Sequence, residues 1–250
     1  MASRGFTGVM MKVYGAKDHL ATVVGTEHLA PHFVRVRMQS QTLFGDPKAI
    51  VAPTAYLRFW FPDPSGSGRE HQRGYTISEA TPKEGTFAVD FVLHEPAGPA
   101  SSWAASVQPG ATIEVTSLAS TAFEVADPLP LGYLLIGDAA SIPAVNDVIN
   151  ALPYLVAIEL YLELHDAKDK DIPLAGHPRL RVHWIEREGE SSLAQAIASR
   201  DWSGWHAWIA TEAGSLKHLR TRVRGEFALP SSSLAARAYW YEGRPFGKRR

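Results

Sequence analysis

The strongest constraint on this chain is a change of hydrophobic periodicity near its middle. From Ala21 to Thr116 the apolar residues fall in short runs with a two-residue repeat, broken by Gly, Pro and Asp. Phe33-Val34-Arg35-Val36-Arg37-Met38 shows the pattern, and Ala55–Phe61, Arg73–Ser78, Thr86–Leu93 and Thr112–Thr116 continue it. Five or six such strands predict an antiparallel barrel or sandwich, with one short helix over Pro99–Val107. Beyond Asp127-Pro128-Leu129-Pro130 the pattern becomes strand, helix, strand. Strands are expected at Tyr133–Ile136, Val156–Leu162, Leu180–Ile185, His206–Ala210 and Ala236–Tyr241. Helices are expected near Ser141–Leu152, Ser192–Ser199 and Gly214–Arg224, so the second half reads as a doubly wound parallel sheet. The fold class expected is therefore β followed by α/β, with domains at 1–128 and 129–250.

Composition removes whole classes of chemistry. The absence of cysteine excludes disulfides, thiolate metal sites and a cysteine nucleophile. With 25 Lys+Arg against 26 Asp+Glu there is no basic field for nucleic acid. Ten histidines include no HExxH motif, and neither GxGxxG nor GxxxxGK[ST] occurs. The first residues lack the apolar run of a signal peptide, and Gly132–Leu164 is broken by Asp138, Asn146, Asp147, Asn150 and Glu159. These features predict a soluble, cytoplasmic domain without a membrane span.

Three segments carry the candidate chemistry. In Arg73-Gly74-Tyr75-Thr76-Ile77-Ser78, period two puts Arg73 and Tyr75 on one face and Thr76 and Ser78 on the other. A guanidinium pairs with a pyrophosphate and a phenol ring lies against an isoalloxazine, so this strand suits a flavin. A solvated edge arginine beside a core tyrosine has the same pattern. Asp90-Phe91-Val92-Leu93-His94 then leads through Glu95–Pro99 into a helix bearing Ala100, Ser101, Ser102 and Trp103. Free amides at a helix start suit a diphosphate, and His94 stands beside it; a structural histidine is the alternative. The third segment, Gly132–Ala144, is a buried strand, the turn Gly137-Asp138-Ala139-Ala140-Ser141 and a helix start. It lies where ligands gather in open α/β sheets, and an ordinary β–α turn would look alike.

In chain order these segments resemble the siderophore-interacting FAD-binding protein family of the ferredoxin-reductase-like superfamily. The likeness rests on R-x-Y-T at Arg73–Thr76, D-x-V-x-H at Asp90–His94 and G-P-A-S-x-W at Gly98–Trp103. It also rests on Gly137, Asp138, Pro143 and Ala144, and on Tyr239, Trp240 and Gly243, so it covers nearly the whole chain. Within the family the chain is similar to the siderophore-interaction domains that head mycobacterial ABC importers of iron-loaded mycobactin and carboxymycobactin. The resemblance implies FAD held in the barrel, NAD(P)H as electron donor and reduction of the ferric siderophore without a catalytic side chain. Arg73 would clamp the diphosphate, Tyr75 pack on the flavin, and Thr76 bond its ring or ribityl chain. His94 and Ala100–Trp103 would hold the diphosphate side, and Tyr239 and Trp240 would close over the flavin. Gly137, Asp138, Ser141, Thr211 and Glu212 would form the nicotinamide side.

Two departures weaken the nicotinamide side. The family turn G-D-E-T-A-L-P-A has Ala139-Ala140-Ser141 after Asp138, and the later A-G-E is Ala210-Thr211-Glu212. Lys217, His218, Arg220, Arg222 and Arg224 suit a 2′-phosphate, or simply a solvated helix face. The resemblance further implies a place on the cytoplasmic face of the inner membrane. Its partners there would be transporter membrane and ATPase domains and a second half-transporter. Phe6, Val9, Met10, Met11, Val13 and Tyr14, with Lys12 and Lys17, form a candidate membrane-touching segment or a cover for the barrel core. The basic end Gly247–Arg250 would lead toward a membrane helix or is a charged tail. Two other functions fit the same motifs: a flavin reductase for another acceptor, and a non-catalytic flavin- or siderophore-binding regulatory module.

Overall fold

A computed structural model describes residues 16–45, 50–117 and 122–243. The candidate membrane segment from Phe6 to Tyr14 and the basic end Gly247–Arg250 lie outside these residues. The chain divides into two compact units, the first ending at Phe123 and the second starting at Glu124.

The first unit is a closed six-stranded antiparallel barrel in the order β1-β2-β5-β4-β3-β6. Its strands are β1 (Lys17–Ala30), β2 (Phe33–Gln39), β3 (Tyr56–Pro62), β4 (Glu70–Thr81), β5 (Thr86–Val92) and β6 (Thr112–Ser117). The longest, β1, is the one the alternation obscures, because register shifts at Val23/Gly25 and His28/Ala30 interrupt its repeat. Val36, Met38, Leu57, Phe59, Phe61, Val89, Phe91 and Val115 fill the interior. At the β4–β5 hairpin Gly85 has φ +69°, and a Cβ there would stand 3.1 Å from the Ser40 carbonyl oxygen, so glycine is required twice over. Helix α1 (Pro99–Ser106) follows β5 and buries Ala100, Ser101 and Ala104.

One irregularity of the barrel matters for function. Strand β4 pairs with β3 from Tyr56↔Thr76 to Pro62↔Glu70, but with β5 only from Ile77↔Val89 to Thr81↔Thr86. Arg73–Thr76 on β4 and Asp90–Val92 on β5 are therefore not registered against each other. The barrel parts along this line.

The second unit is a five-stranded, wholly parallel sheet in the order β11-β10-β7-β8-β9. The strands are β7 (Gly132–Asp138), β8 (Ala157–Leu164), β9 (Leu180–Glu186), β10 (Trp205–Glu212) and β11 (Leu234–Trp240). Central β7 is buried at all seven positions, as a parallel strand covered on both faces must be. Helices α2 (Ile142–Ala151), α3 (Ser192–Ala196) and α4 (Ala213–Gly225) cover the sheet. Leu193, Ile197, Trp202, Leu216, Leu219 and Val223 pack on Leu134, Ile136 and Ile209 from one side. Helix α3 stops short of the expected Ser199 because Ile197 turns extended (ψ 126°) and buries its side chain. Among the described residues no helix is long and apolar enough to cross a membrane.

Candidate functional site

The parted strands of the barrel hold most of the residues singled out by sequence. The Ile77 N–H donates to the Ala55 carbonyl at 2.9 Å, toward β3. By strand alternation the main-chain groups of Gly74 and Thr76 face the other way, into the parting. Arg73 is half-buried, and its Nη1 donates to the neighbouring Gln72 carbonyl at 2.7 Å. Among the described residues it has no carboxylate partner, and burial pulls its pKa down. The guanidinium at Arg35 is differently placed. It binds Asp90 through two hydrogen bonds of 2.7 and 2.8 Å and Glu79 at 2.5 Å. Asp90 also accepts from the Ser78 hydroxyl at 3.1 Å, so its buried carboxylate is spent within the barrel wall. Arg35 did not stand out in the sequence, although it lies directly across from Asp90 in the β2–β5 register.

Aromatic rings line the same region. Tyr75 meets Phe91 at 4.3 Å between centroids and stands edge-on to Phe59 and Phe61 at 5.7 and 5.9 Å. Trp103 of α1 closes the cluster against Phe61 and Phe91 at 5.5 and 5.7 Å. Burial pushes the Tyr75 phenol pKa up, so it stays neutral. Phe59 and Phe61, two apart on β3, complete the cluster; their alternation in Tyr56–Pro62 is the signal that could have found them. Val92 and Leu93 are half-buried at the end of β5.

Beyond Leu93 the chain prepares a helix start without closing it. The exposed His94 offers its main-chain N–H to the Ser101 hydroxyl at 3.1 Å, which fixes the turn. Gly98 caps α1 with no side-chain hydrogen bond, and Pro99 follows it. The first intrahelical bond runs from the Ser102 N–H to the Gly98 carbonyl at 2.9 Å, so the Ala100 and Ser101 amides precede it. A methyl at Gly98 would lie 3.8 Å from the His94 ring. Tyr75 touches Phe91 across the parting, and two residues along from each stand Arg73 and Leu93, where this turn begins. An uncompensated guanidinium, open amides and an imidazole thus collect along one seam, a donor set for a diphosphate.

In the α/β unit the sequence candidates also converge, at the carboxyl edge of the sheet, but there they bond one another. Gly137 is required because a Cβ would run into the Ser141 hydroxyl and stand 3.3 Å from Leu162 and Val145. Ser141 Oγ accepts from the Asp138 N–H at 3.0 Å and donates to its carbonyl at 2.9 Å. The Asp138 carboxylate accepts from the Ala140 and Glu212 N–H groups at 3.1 and 3.0 Å and from the Trp240 indole at 2.9 Å. Burial outweighs these donors and, with Glu163 nearby, pushes the Asp138 pKa up to about 7. Glu212 caps α4 by accepting from the Gly214 and Ser215 amides, and takes the Glu242 N–H at 3.2 Å. The Thr211 hydroxyl donates to the Glu212 carbonyl at 3.1 Å.

Around them stand residues that the sequence did not single out. Glu163 binds Arg187 at 2.6 Å, and Arg187 reaches Glu242 at 2.9 Å and Ser215 at 3.1 Å. The other Glu163 oxygen, Oε1, is buried without a hydrogen-bond partner among the described residues. Trp240 packs 5.4 Å from His165, whereas Tyr239 turns toward Trp208 at 6.4 Å. Trp240 is thus engaged inside this unit. Of the cations on α4, Arg220 is tied to the Ala236 carbonyl and Arg222 to Glu226, Ser199 and the Ala194 carbonyl.

Comparison with known proteins supplies the context. The family model described as the siderophore-interacting FAD-binding domain matches residues 44–117, and that of the siderophore-interacting protein matches residues 131–243. The mycobactin import ATP-binding/permease protein IrtA of Mycobacterium tuberculosis is 59% identical over 249 residues, which is 99% of this chain. The chain spans 29% of that relative's length. The ferric vibriobactin reductase ViuB of Vibrio cholerae is 24% identical over 253 residues, covering 90% of each chain. The solved structure of a siderophore-interacting protein from Acinetobacter baumannii superposes with a TM-score of 0.80 at 21% identity, covering 92% of this chain and 93% of the other. Its fold is the ferredoxin-reductase-like arrangement of antiparallel barrel and parallel α/β unit. The chain belongs to the siderophore-interacting FAD-binding protein family.

Proposed function

We propose that this chain is a flavin-dependent reductase of ferric siderophores, serving as the reducing domain of a mycobactin importer. FAD is held by the barrel, and a nicotinamide nucleotide delivers electrons at the carboxyl edge of the α/β sheet. The carrying observation is the parting of β4 from β5 with Arg73 beside it, uncompensated, half-buried and near an uncapped helix start. These residues fit FAD. Arg73 pairs with its diphosphate, the Ala100 and Ser101 amides and His94 meet the same anion, and Gly74 and Thr76 offer main-chain groups. Tyr75, rigid on its aromatic bed, gives the isoalloxazine a flat contact. Once bound, FAD supplies the conversion of a two-electron donor into the single-electron steps that Fe³⁺ accepts. Ferrous iron is the softer ion, so an all-oxygen chelator releases it.

The relatives supply substrate and setting: a mycobactin importer at 59% identity and a ferric vibriobactin reductase at 24% identity. On that basis ferric mycobactin and carboxymycobactin are the proposed substrates. The remaining transporter domains and a second half-transporter are the partners, and the cytoplasmic membrane face is the place of action. A second reading, a non-catalytic flavin- or siderophore-binding module, draws on the self-bonded turn at Asp138–Ser141.

One anaerobic experiment separates them. The purified protein is loaded with FAD, bleached with NADH or NADPH, and mixed with ferric mycobactin or carboxymycobactin over a ferrous-iron trap. Bleaching followed by reoxidation with ferrous iron captured is the expected result. A protein that retains no FAD overturns the flavin assignment. Flavin that no nucleotide bleaches supports the binding module. Reduced flavin that ferric siderophore leaves reduced points to another acceptor.

A further inference from the structure

Two helix starts stand at the carboxyl edge of the α/β sheet, where a dinucleotide would place its phosphates. Both are filled by the chain's own carboxylates. Asp138 accepts the Ala140 amide in the turn leading to α2, and Glu212 accepts the Gly214 and Ser215 amides of α4. A third carboxylate joins the second start: Glu190 lies 2.5 Å from where a Cβ on Gly214 would sit, and His218 faces it at 3.7 Å. Glu186 ends β9, Glu188 and Glu190 follow it, and all three are exposed. The cation among them, Arg187, is already held by Glu163 and Glu242. An independent feature points the same way. Glu163 Oε1 is buried at this edge with no hydrogen-bond partner among the described residues, an acceptor that a hydroxyl or amide N–H satisfies and an anionic phosphate oxygen does not.

The side chains of the basic run on α4 are in part held away from this edge. Arg220 and Arg222 are bound to the Ala236 and Ala194 carbonyls, and Arg222 also to Glu226. Helix α4 starts at the carboxyl edge and runs away from it, which leaves Lys217 and His218 as the members nearest to it.

From this placement we infer that the donor nucleotide is one without a 2′-phosphate, NADH rather than NADPH, with Glu190 as the residue that sets the preference. The inference rests on the reading of the carboxyl edge as the nicotinamide site and replaces the 2′-phosphate role expected for the α4 cations. A further dianion would enter a region already holding Glu186, Glu188, Glu190 and Glu212, and like charges cost binding free energy.

The test is isothermal titration of the FAD-loaded protein with NAD⁺ and NADP⁺, at low and high salt, together with anaerobic bleaching by NADH and NADPH. NAD⁺ should bind at least about 10-fold more tightly than NADP⁺, and salt should narrow the ratio because it screens the repulsion. Glu190→Lys should shift the ratio toward NADP⁺ by about 10-fold or more, and Glu190→Gln by less, with FAD content unchanged in both. Equal or tighter NADP⁺ binding by the unaltered protein overturns the inference and leaves the donor site standing. An unchanged ratio in Glu190→Lys overturns the assignment to Glu190. If neither nucleotide binds nor bleaches, the donor site itself is wrong and the inference falls with it.

Discussion

The turn from β5 into α1 and the turn from β10 into α4 are the same local device, a strand delivering a helix start, put to opposite use. At α1 the cap is Gly98, with no side chain, and the Ala100 and Ser101 amides are left for something else. At α4 the cap is Glu212, whose carboxylate takes the Gly214 and Ser215 amides, while Glu190 crowds the same turn. A helix start carries about half a positive charge, so the first is an open anion site and the second is already neutralised. The arginines divide the same way. Arg73 has no carboxylate among the described residues, whereas Arg35 and Arg187 each hold two. Charges bonded within the chain build the fold, and charges left over are the ones a ligand could pair with.

The largest expected effect breaks a paired charge in the barrel. Arg35→Ala strands Asp90, whose side chain is 3% exposed, with only the Ser78 hydroxyl as a donor. Removing one partner of such a pair costs about 3–5 kcal/mol. Urea unfolding should register that loss, with flavin affinity little changed in the protein that remains folded. A loss below about 1 kcal/mol would mean that the pair is solvated, and the contrast with Arg73 would fail.

The neutralised edge makes a pH prediction of similar size. The folded-state pKa of Asp138, about 7, lies above its ordinary value of 3.8. The folded state therefore holds the proton more tightly, so this group's stabilising contribution is complete below about pH 4 and is lost as pH rises through 7. Between pH 5 and 8 that loss is on the order of 2 kcal/mol. His165, solvent-exposed overall but with a ring desolvated enough to lower its pKa, acts with the opposite sign, so the comparison must be made against Asp138→Asn. The variant should show a flatter profile over this range. An identical slope in both proteins would place the titration elsewhere.

Arg73→Ala tests the charge left over. Among the described residues its side chain bonds only a neighbouring carbonyl, so the folded state should lose little. FAD affinity should fall by about 100-fold, equal to roughly 2.7 kcal/mol, as expected for a charge-assisted hydrogen-bonded pair. Equilibrium dialysis against FAD, alongside a melting curve, reads both. A large fall in melting temperature with little change in FAD binding would reverse the roles assigned to Arg73 and Arg35.

Much of this division could be read from sequence, for identifiable reasons. The alternation in Phe33–Met38 and the buried run Tyr133–Ile136 follow from period two and from burial on both faces, both local properties. Arg73, Tyr75 and Trp103 stand out in the sequence because a motif of fixed spacing carries them, and their role toward FAD is part of the proposal. What stayed hidden depends on pairing across the chain. The sequence does not show that Asp90 bonds Arg35 and Ser78, because those contacts depend on the β2–β5 register and on where β4 lies. For Lys217–Arg224 the sequence leaves a phosphate patch and a solvated helix face both open, because which arginines reach a carbonyl depends on where α3 and β11 lie. Glu163, Arg187 and Glu190 belong to no motif, and only the parallel register brings them to one edge. The bulges of β1 hid a strand for the same reason: the partner strands set its register, and its own repeat is broken.

The smallest expected effect is the most direct test of the comparison, because it turns one helix start into the other. Gly98 has φ −84° and ψ 172°, an ordinary extended conformation open to any residue. A Cβ there meets the His94 ring at 3.8 Å, a normal contact. Aspartate therefore fits, and at a cap it accepts the amides two or three residues on, as Glu212 does on α4. Gly98→Asp should stabilise the barrel unit by a few tenths of a kcal/mol, since a good cap gains only that much over glycine. It should also weaken FAD binding by about 10-fold, because the amides are occupied and a negative charge stands where the diphosphate would bind. Gly98→Ser supplies the cap without the charge, so its affinity loss should fall between those of glycine and aspartate. If both variants bind FAD as the unaltered protein does, the open start of α1 is not a phosphate site and its lack of a cap has no functional meaning. If aspartate alone weakens binding, the charge matters and the amides do not. Losses graded from serine to aspartate would show that the vacancy at α1 and the occupancy at α4 are two settings of one electrostatic device.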